Sequence, residues 1–380
     1  MSTPPVSDSG ELRQSALAAG SFVGTFALVF AAIAVLFAID TVLAEKERAE
    51  TRSEARRSYL EGLALERQGA ILPAIEQLRS AVSAERENPV YQRALATALT
   101  SAGKLDNAVA LLNERLQRDP GDAAACLIMA RALVRSQRLR EAITFYHRAI
   151  YGRWDTDPQD NQVQARFELV ELLAQHHARQ EMLAELLPLQ NQAPRDVSTR
   201  KRLAHLFIAA GSPARAIELY RDILRQNGDD ADAYAGLGEA EFQRGNYRAA
   251  RTNYLTALKL APEDREIGTR LELCNEVLAL DPTQRGIGTS EQYRRSLTVL
   301  QRTVDAVTGC PGFAGEPDQA LEDRAHAALS RRVPAAQLHD AVEQNLELAE
   351  QFWETGRRSC LQPMADSIQV LKLVLEKAAQ

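Results

Sequence analysis

Catalysis or metal binding needs nucleophiles, ligands or paired acids at defined spacings, and this sequence offers few. Its four cysteines form no CxxC, CxxCH or zinc-type spacing, so metal and haem sites are unsupported. His176 and His177 fall at the end of an amphipathic segment, His326 and His339 stand alone, and no HExxH, GxSxG or Walker sequence occurs. The stretch SAGK at 101–104 has the spacing of a Ser-x-x-Lys pair, yet it falls in a turn between two predicted helices and no KTG accompanies it. GIGTSE at 286–291 lacks the third glycine of a dinucleotide fingerprint and follows no strand. No catalytic residue, cofactor or metal is assigned, and the chain reads as a non-enzyme.

The elements behind these residues are helical. Ala, Leu, Glu, Gln and Arg dominate long stretches, while aromatics make up only 6%, which favours an all-α protein. The net charge of −6 comes from 45 basic and 51 acidic residues spread along the chain. Without a single-sign block, a nucleic-acid tail is excluded.

A 34-residue period organises residues 55–264. In the frame opening at Ala231, Tyr234, Leu237, Gly238, Ala250, Tyr254, Ala257 and Pro262 take positions 4, 7, 8, 20, 24, 27 and 32. Frames at Ala55, Pro89, Ala123, Val163 and Val197 repeat the order, with DPQDNQ at 157–162 as an insertion and the Val163 copy the most degenerate. The pattern resembles the tetratricopeptide repeat (TPR). That resemblance implies two antiparallel helices per unit, each unit burying faces against its neighbours. Small residues at positions 8 and 20 let the two helices close up, which gives Gly238 a role despite its helix cost of about 1 kcal/mol relative to alanine.

In TPR families the first helix of each unit lines a groove that takes partner segments. Carried onto this sequence, the groove positions include Arg56, Tyr59, Arg67, Arg93, Leu127, Arg131, Arg135, Phe167, Lys201, His205, Glu239 and Phe242. Their basic tilt points to an acidic or carboxylate-bearing segment as partner. The asparagines of a chaperone-type carboxylate clamp are not matched, since Leu63, Thr97 and Arg131 stand at position nine.

Ahead of the repeats, after a tail at 1–15, residues 16–40 are almost wholly apolar or small, long enough for a single membrane span of about 20 residues. The run is too long, and its leading basic region too thin, for a cleavable signal peptide. A juxtamembrane linker or helix follows at 41–54; Lys46, Arg48 and Arg52 within it, with Arg56 and Arg57 just beyond, favour a cytoplasmic soluble domain at a cell membrane. Because the charge rule weakens for long domains and acids alternate with these bases, a periplasmic or extracytoplasmic domain stays open.

After the array, 265–289 reads as a capping segment and linker, with Leu271, Leu273, Val277 and Leu280 at helical spacing. A small helical domain follows at 290–380. Its first helix is predicted to start with a Thr289/Gln292 capping box, carry a Leu297, Leu300, Val304 and Val307 stripe, and end at Gly309. Further helices are expected near 317–332, 334–356 and 364–379. Cys310 and Cys360 leave two readings open, a disulfide or two buried thiols; Cys126 reads as a core residue.

The expected function is a membrane-anchored scaffold or adaptor that binds protein or peptide partners and no nucleic acid. A fixed subunit of a membrane complex, and an enzyme with its activity in the C-terminal helices, are the alternatives.

Overall fold

The computed structural model describes residues 11–309, 319–359 and 366–379, with side chains for 30–309, 319–356 and 368–379. Cys310 and Cys360 lie outside the described residues. Among those described there are 17 α-helices and no strand.

The chain divides into two compact units, Met1–Arg166 and Phe167–Gln380. The first contains α1 (Glu11–Arg67), α2 (Ile71–Ala84), α3 (Pro89–Ser101), α4 (Leu105–Arg118), α5 (Ala123–Arg135), α6 (Leu139–Tyr151) and the start of α7 (Pro158–Gln175). The second takes the rest of α7, then α8 (Arg179–Gln192), α9 (Val197–Ala209), α10 (Pro213–Gln226), α11 (Ala231–Gln243), α12 (Tyr247–Leu260) and α13 (Arg265–Leu280). Four further helices complete it: α14 (Thr289–Thr308), α15 (Gln319–Ser330), α16 (Leu338–Ser359) and α17 (Asp366–Ala378).

The 34-residue frames coincide with helix pairs, and local chemistry explains where each pair begins. Asn88, Asp122, Asp196, Asp230 and Asp264, at position 34 of five of the six frames, each accept a backbone N–H of the helix that follows. A carboxylate or amide oxygen there satisfies a donor that the first turn leaves unpaired. Between the two helices of every pair the chain turns through a left-handed residue at position 15. Gly69, Gly103, Gly211 and Gly245 take that place in four pairs, while Gln137 and His177 take it in the others.

The packing follows the small-residue positions. Ala74, Ala96, Ala108, Ala130, Ala142, Ala204, Ala216 and Ala250 are completely buried. In the second unit one apolar core runs from Phe242 and Tyr254 of the last pair through Val277 of α13 to Phe352 and Val374 of the C-terminal helices. The terminal helices thus share the core of the last repeat.

Several details depart from the sequence reading. Of the two readings of the juxtamembrane segment, linker or helix, the helix holds: α1 runs unbroken from residue 11 to 67 and becomes the first repeat helix. DPQDNQ supplies the opening residues of α7 from Pro158 onwards. In α13 the deeply buried residues are Ile267, Cys274, Val277 and Leu280, with Leu271 and Leu273 only partly covered. The capping box at Thr289 does not form: Gly288 is the N-cap and Thr289 already lies inside α14. The stripe of α14 is centred on Val299, Leu300, Val304 and Val307, and Leu297 sits at its edge.

No helix among the described residues is long and apolar enough to cross a membrane. Of the expected span at 16–40, the side chains of 16–29 fall outside the description.

Candidate functional site

In the first unit the first-helix faces are α1 from Ala55 onwards, α3 and α5. Arg56, Arg67, Arg131 and Arg135 are exposed there, and the Arg135 guanidinium donates to the Thr100 carbonyl. Tyr59 and Tyr91 meet with ring centroids 4.9 Å apart and planes tilted by 33°, so the tyrosine supports the contact between neighbouring first helices. Leu127 is only 6% exposed and belongs to the core.

Arg93 is held inside the protein. Its guanidinium lies 3.0 Å from the buried Asp122 carboxylate and 3.0 Å from Asp155, while Arg115 donates to Asp122 at 2.9 Å. Burial alone would raise the Asp122 pKa, but the Ala125 N–H and the two guanidinium groups hold it below the ordinary carboxylate value. Asp122 therefore joins three tasks: capping α5, fixing Arg93 of α3, and fixing Arg115 of α4.

The second unit repeats that arrangement. Lys201 of α9 lies 2.7 Å from Asp230, the cap of α11, and 2.9 Å from Asp232. In both units a cation at position five pairs with the cap residue 29 positions later. That spacing was available in the sequence, and it marks Arg93 and Lys201 as already neutralised. The basic tilt expected of the groove is weakened accordingly.

The two phenylalanines proposed for the groove are buried. Phe167 is 3% exposed beneath the Arg202 guanidinium at 4.1 Å, and Phe242 is 8% exposed between Tyr247 and Arg270. Both serve packing more than contact with a partner.

Lys201, His205 and Glu239 do come together, at a cleft of about 420 Å³ between α9, α11 and α13. Asp232, Gly236, Tyr254, Asp264, Glu266 and Arg270 join them in its lining. His205 is exposed and meets the Tyr220 ring edge-on at 6.0 Å. Glu239 accepts from the Tyr254 hydroxyl at 3.0 Å and lies 3.5 Å from Arg270. Of the cleft residues, Asp232, Gly236, Glu266 and Arg270 were not singled out from sequence, because their proximity depends on stacking across three helix pairs. Among the described residues no His, Cys, Asp and Glu group is arranged to hold a metal ion.

Family profiles described as tetratricopeptide repeat match residues 59–123 and 201–265, and a second such profile matches 99–165. The chain carries tetratricopeptide repeats. The Val163 frame, the most degenerate by sequence, falls largely between the matched stretches.

Among solved structures, the chain is similar to YrrB, titled a TPR protein with an unusual peptide-binding site, at 17% identity and a TM-score of 0.42 over 51% of this chain and 97% of that one. PilF of Pseudomonas aeruginosa is similar at 17% identity and a TM-score of 0.43 over 59% of this chain and 97% of that one. PilW, a type IV pilus biogenesis factor, is similar at 16% identity and a TM-score of 0.43 over 57% of this chain and 98% of that one. No curated protein matches the sequence.

Proposed function

We propose that this protein is a non-enzymatic scaffold, held at a cell membrane by one N-terminal helix, that binds protein or peptide segments along the first-helix faces of its repeats. The observation that carries the reading is the repeat array itself, whose first helices present exposed side chains from several units side by side. Repeats buried against one another leave such a surface for partners. Fold by itself does not name the partner. In the first unit the exposed Arg56, Arg67, Arg131 and Arg135 suit a segment bearing carboxylates.

Membrane anchoring draws on the apolar run and on exposure along α1. Phe30, Ile33, Val35, Leu36, Phe37, Ile39, Val42 and Leu43 are all at least half exposed, on every side of the helix. A helix apolar all round demands a non-aqueous surrounding. Because α1 leads unbroken into the first repeat, the array would be held close to the bilayer, with a high effective concentration for membrane-bound partners. The basic residues after the apolar run favour the cytoplasmic side.

The test is site-specific photo-cross-linking in cells. A photoreactive residue at Arg131 or His205, on first helices, is expected to capture partner proteins, whereas one at Arg79 or Glu218, on second helices, is not. Equal capture at all four positions, or at none, sinks the proposal.

A further inference from the structure

The cleft between α9, α11 and α13 differs in charge from the arginine-bearing face of the first unit. Asp232, Glu239, Asp264 and Glu266 line it against two cations, Lys201 and Arg270. Lys201 is already engaged by Asp230 and Asp232, and Arg270 approaches Glu239. The cleft is left negative.

An independent feature lies directly behind its lining. Tyr220 is fully buried, and among the described residues its hydroxyl has no hydrogen-bond partner. That hydroxyl stands 2.4 Å from the point a Gly236 β-carbon would occupy, and Gly236 lines the cleft. Burial, then the charges of Asp232, Asp230 and Glu239, push the phenol pKa upward, so the group stays a neutral hydroxyl beside these carboxylates. One repeat later, Tyr254 holds the same position and spends its hydroxyl on Glu239. Tyr220 faces His205 at the matching place, and no hydrogen bond is made. An unpaired buried hydroxyl is unfavourable, a deficit that a ligand donor or acceptor at this point would remove.

We infer that this cleft binds a basic segment of a partner protein, whose lysine or arginine side chains meet Asp232, Glu239 and Glu266 while a polar group of the segment pairs with the Tyr220 hydroxyl beside Gly236. The inference rests on the protein-binding role proposed above and specifies the chemistry of one site within it. Opposite charge across such a contact raises the association rate and selects against acidic competitors.

Fluorescence anisotropy of the full chain in detergent, with a short labelled lysine-rich peptide and a glutamate-rich peptide of equal length, tests it. The lysine-rich peptide is expected to bind. Glu266→Lys, an exposed rim change, is expected to weaken that binding roughly tenfold at low salt and less at high salt. Tyr220→Phe is expected to weaken it several-fold while leaving thermal stability equal or higher, because the variant deletes a hydroxyl that has no partner in the free protein. Failure of the lysine-rich peptide to bind, or an affinity unchanged by either variant, overturns the inference. Binding of the glutamate-rich peptide in that case would leave the protein-binding role standing, whereas binding of neither peptide together with failed cross-linking would remove both.

Discussion

The ring of Tyr254 lies 2.8 Å from the point where a β-carbon on Gly238 would stand. Real β-carbons do not come that close to ring atoms, so the two helices of the last pair meet at this contact only because position 238 has no side chain. Gly238→Leu is therefore expected to overpack the pair and destabilise the protein by about 1–3 kcal/mol. The urea midpoint measures it, and an unchanged midpoint would overturn the register.

Asp122 ties three helices together through one carboxylate, and its stabilisation has a defined pH window. Its folded pKa lies below the unfolded value of about 3.9, so the contribution is fully present above pH 4 and is lost as pH falls through the folded value. Asp122→Asn keeps a capping oxygen but leaves Arg93 and Arg115 facing a neutral group. It should cost about 1–3 kcal/mol at pH 7 and narrow its gap to the parent as acid is added. Chemical denaturation at pH 7 and pH 3 would show this; a gap that stays constant with pH would exclude the carboxylate as the cause.

The architecture was legible because it is periodic. A position such as Gly238 or Ala250 recurs every 34 residues, and each repeat supplies a fresh copy of the same packing constraint. The availability of a charge is harder to read, because the group that neutralises it stands in the next helix pair. Arg93 and Lys201 occupy groove positions, yet each has a partner 29 residues on, contributed by the next helix pair. Leu127 and Phe242 failed as contact residues for a related reason, since the same helix face that borders the groove also touches the neighbouring repeat. The negative cleft combines residues from α9, α11, α12 and α13, a grouping that only the stacked structure assembles.

Gln137 adopts φ 59° at the turn where four other pairs use glycine. A side chain in that left-handed conformation costs about 1–2 kcal/mol, while glycine loses about 0.5–1 kcal/mol more backbone entropy on folding. The balance favours Gln137→Gly by up to about 1.5 kcal/mol. An increase in the thermal midpoint checks it; a decrease would mean that the Gln137 side chain makes a compensating contribution.

The proposed anchor predicts tight retention. Full-length protein should stay in the membrane pellet after alkaline carbonate washing. Phe30→Arg combined with Ile33→Arg should release it, each arginine costing roughly 2.5–3.5 kcal/mol near the middle of a span. Circular dichroism of the released variant should remain helical. Parent protein that washes off with carbonate would count against a span.

Topology can be read from the cysteines, because two of the four are silenced by their surroundings. Cys126 and Cys274 are completely buried, and burial pushes their thiols up to about 11 and about 12, so little reactive thiolate exists at neutral pH. Labelling of the folded chain by a membrane-impermeant maleimide must then report Cys310 or Cys360. For a cytoplasmic domain, label should enter only after lysis, and mild reductant should be included so that a bond between the two cysteines does not mask them. Labelling in intact cells would place the repeats on the outer side of the membrane, and the basic residues that follow the apolar run would then have to be read as part of the first repeat helix instead of as a topogenic signal.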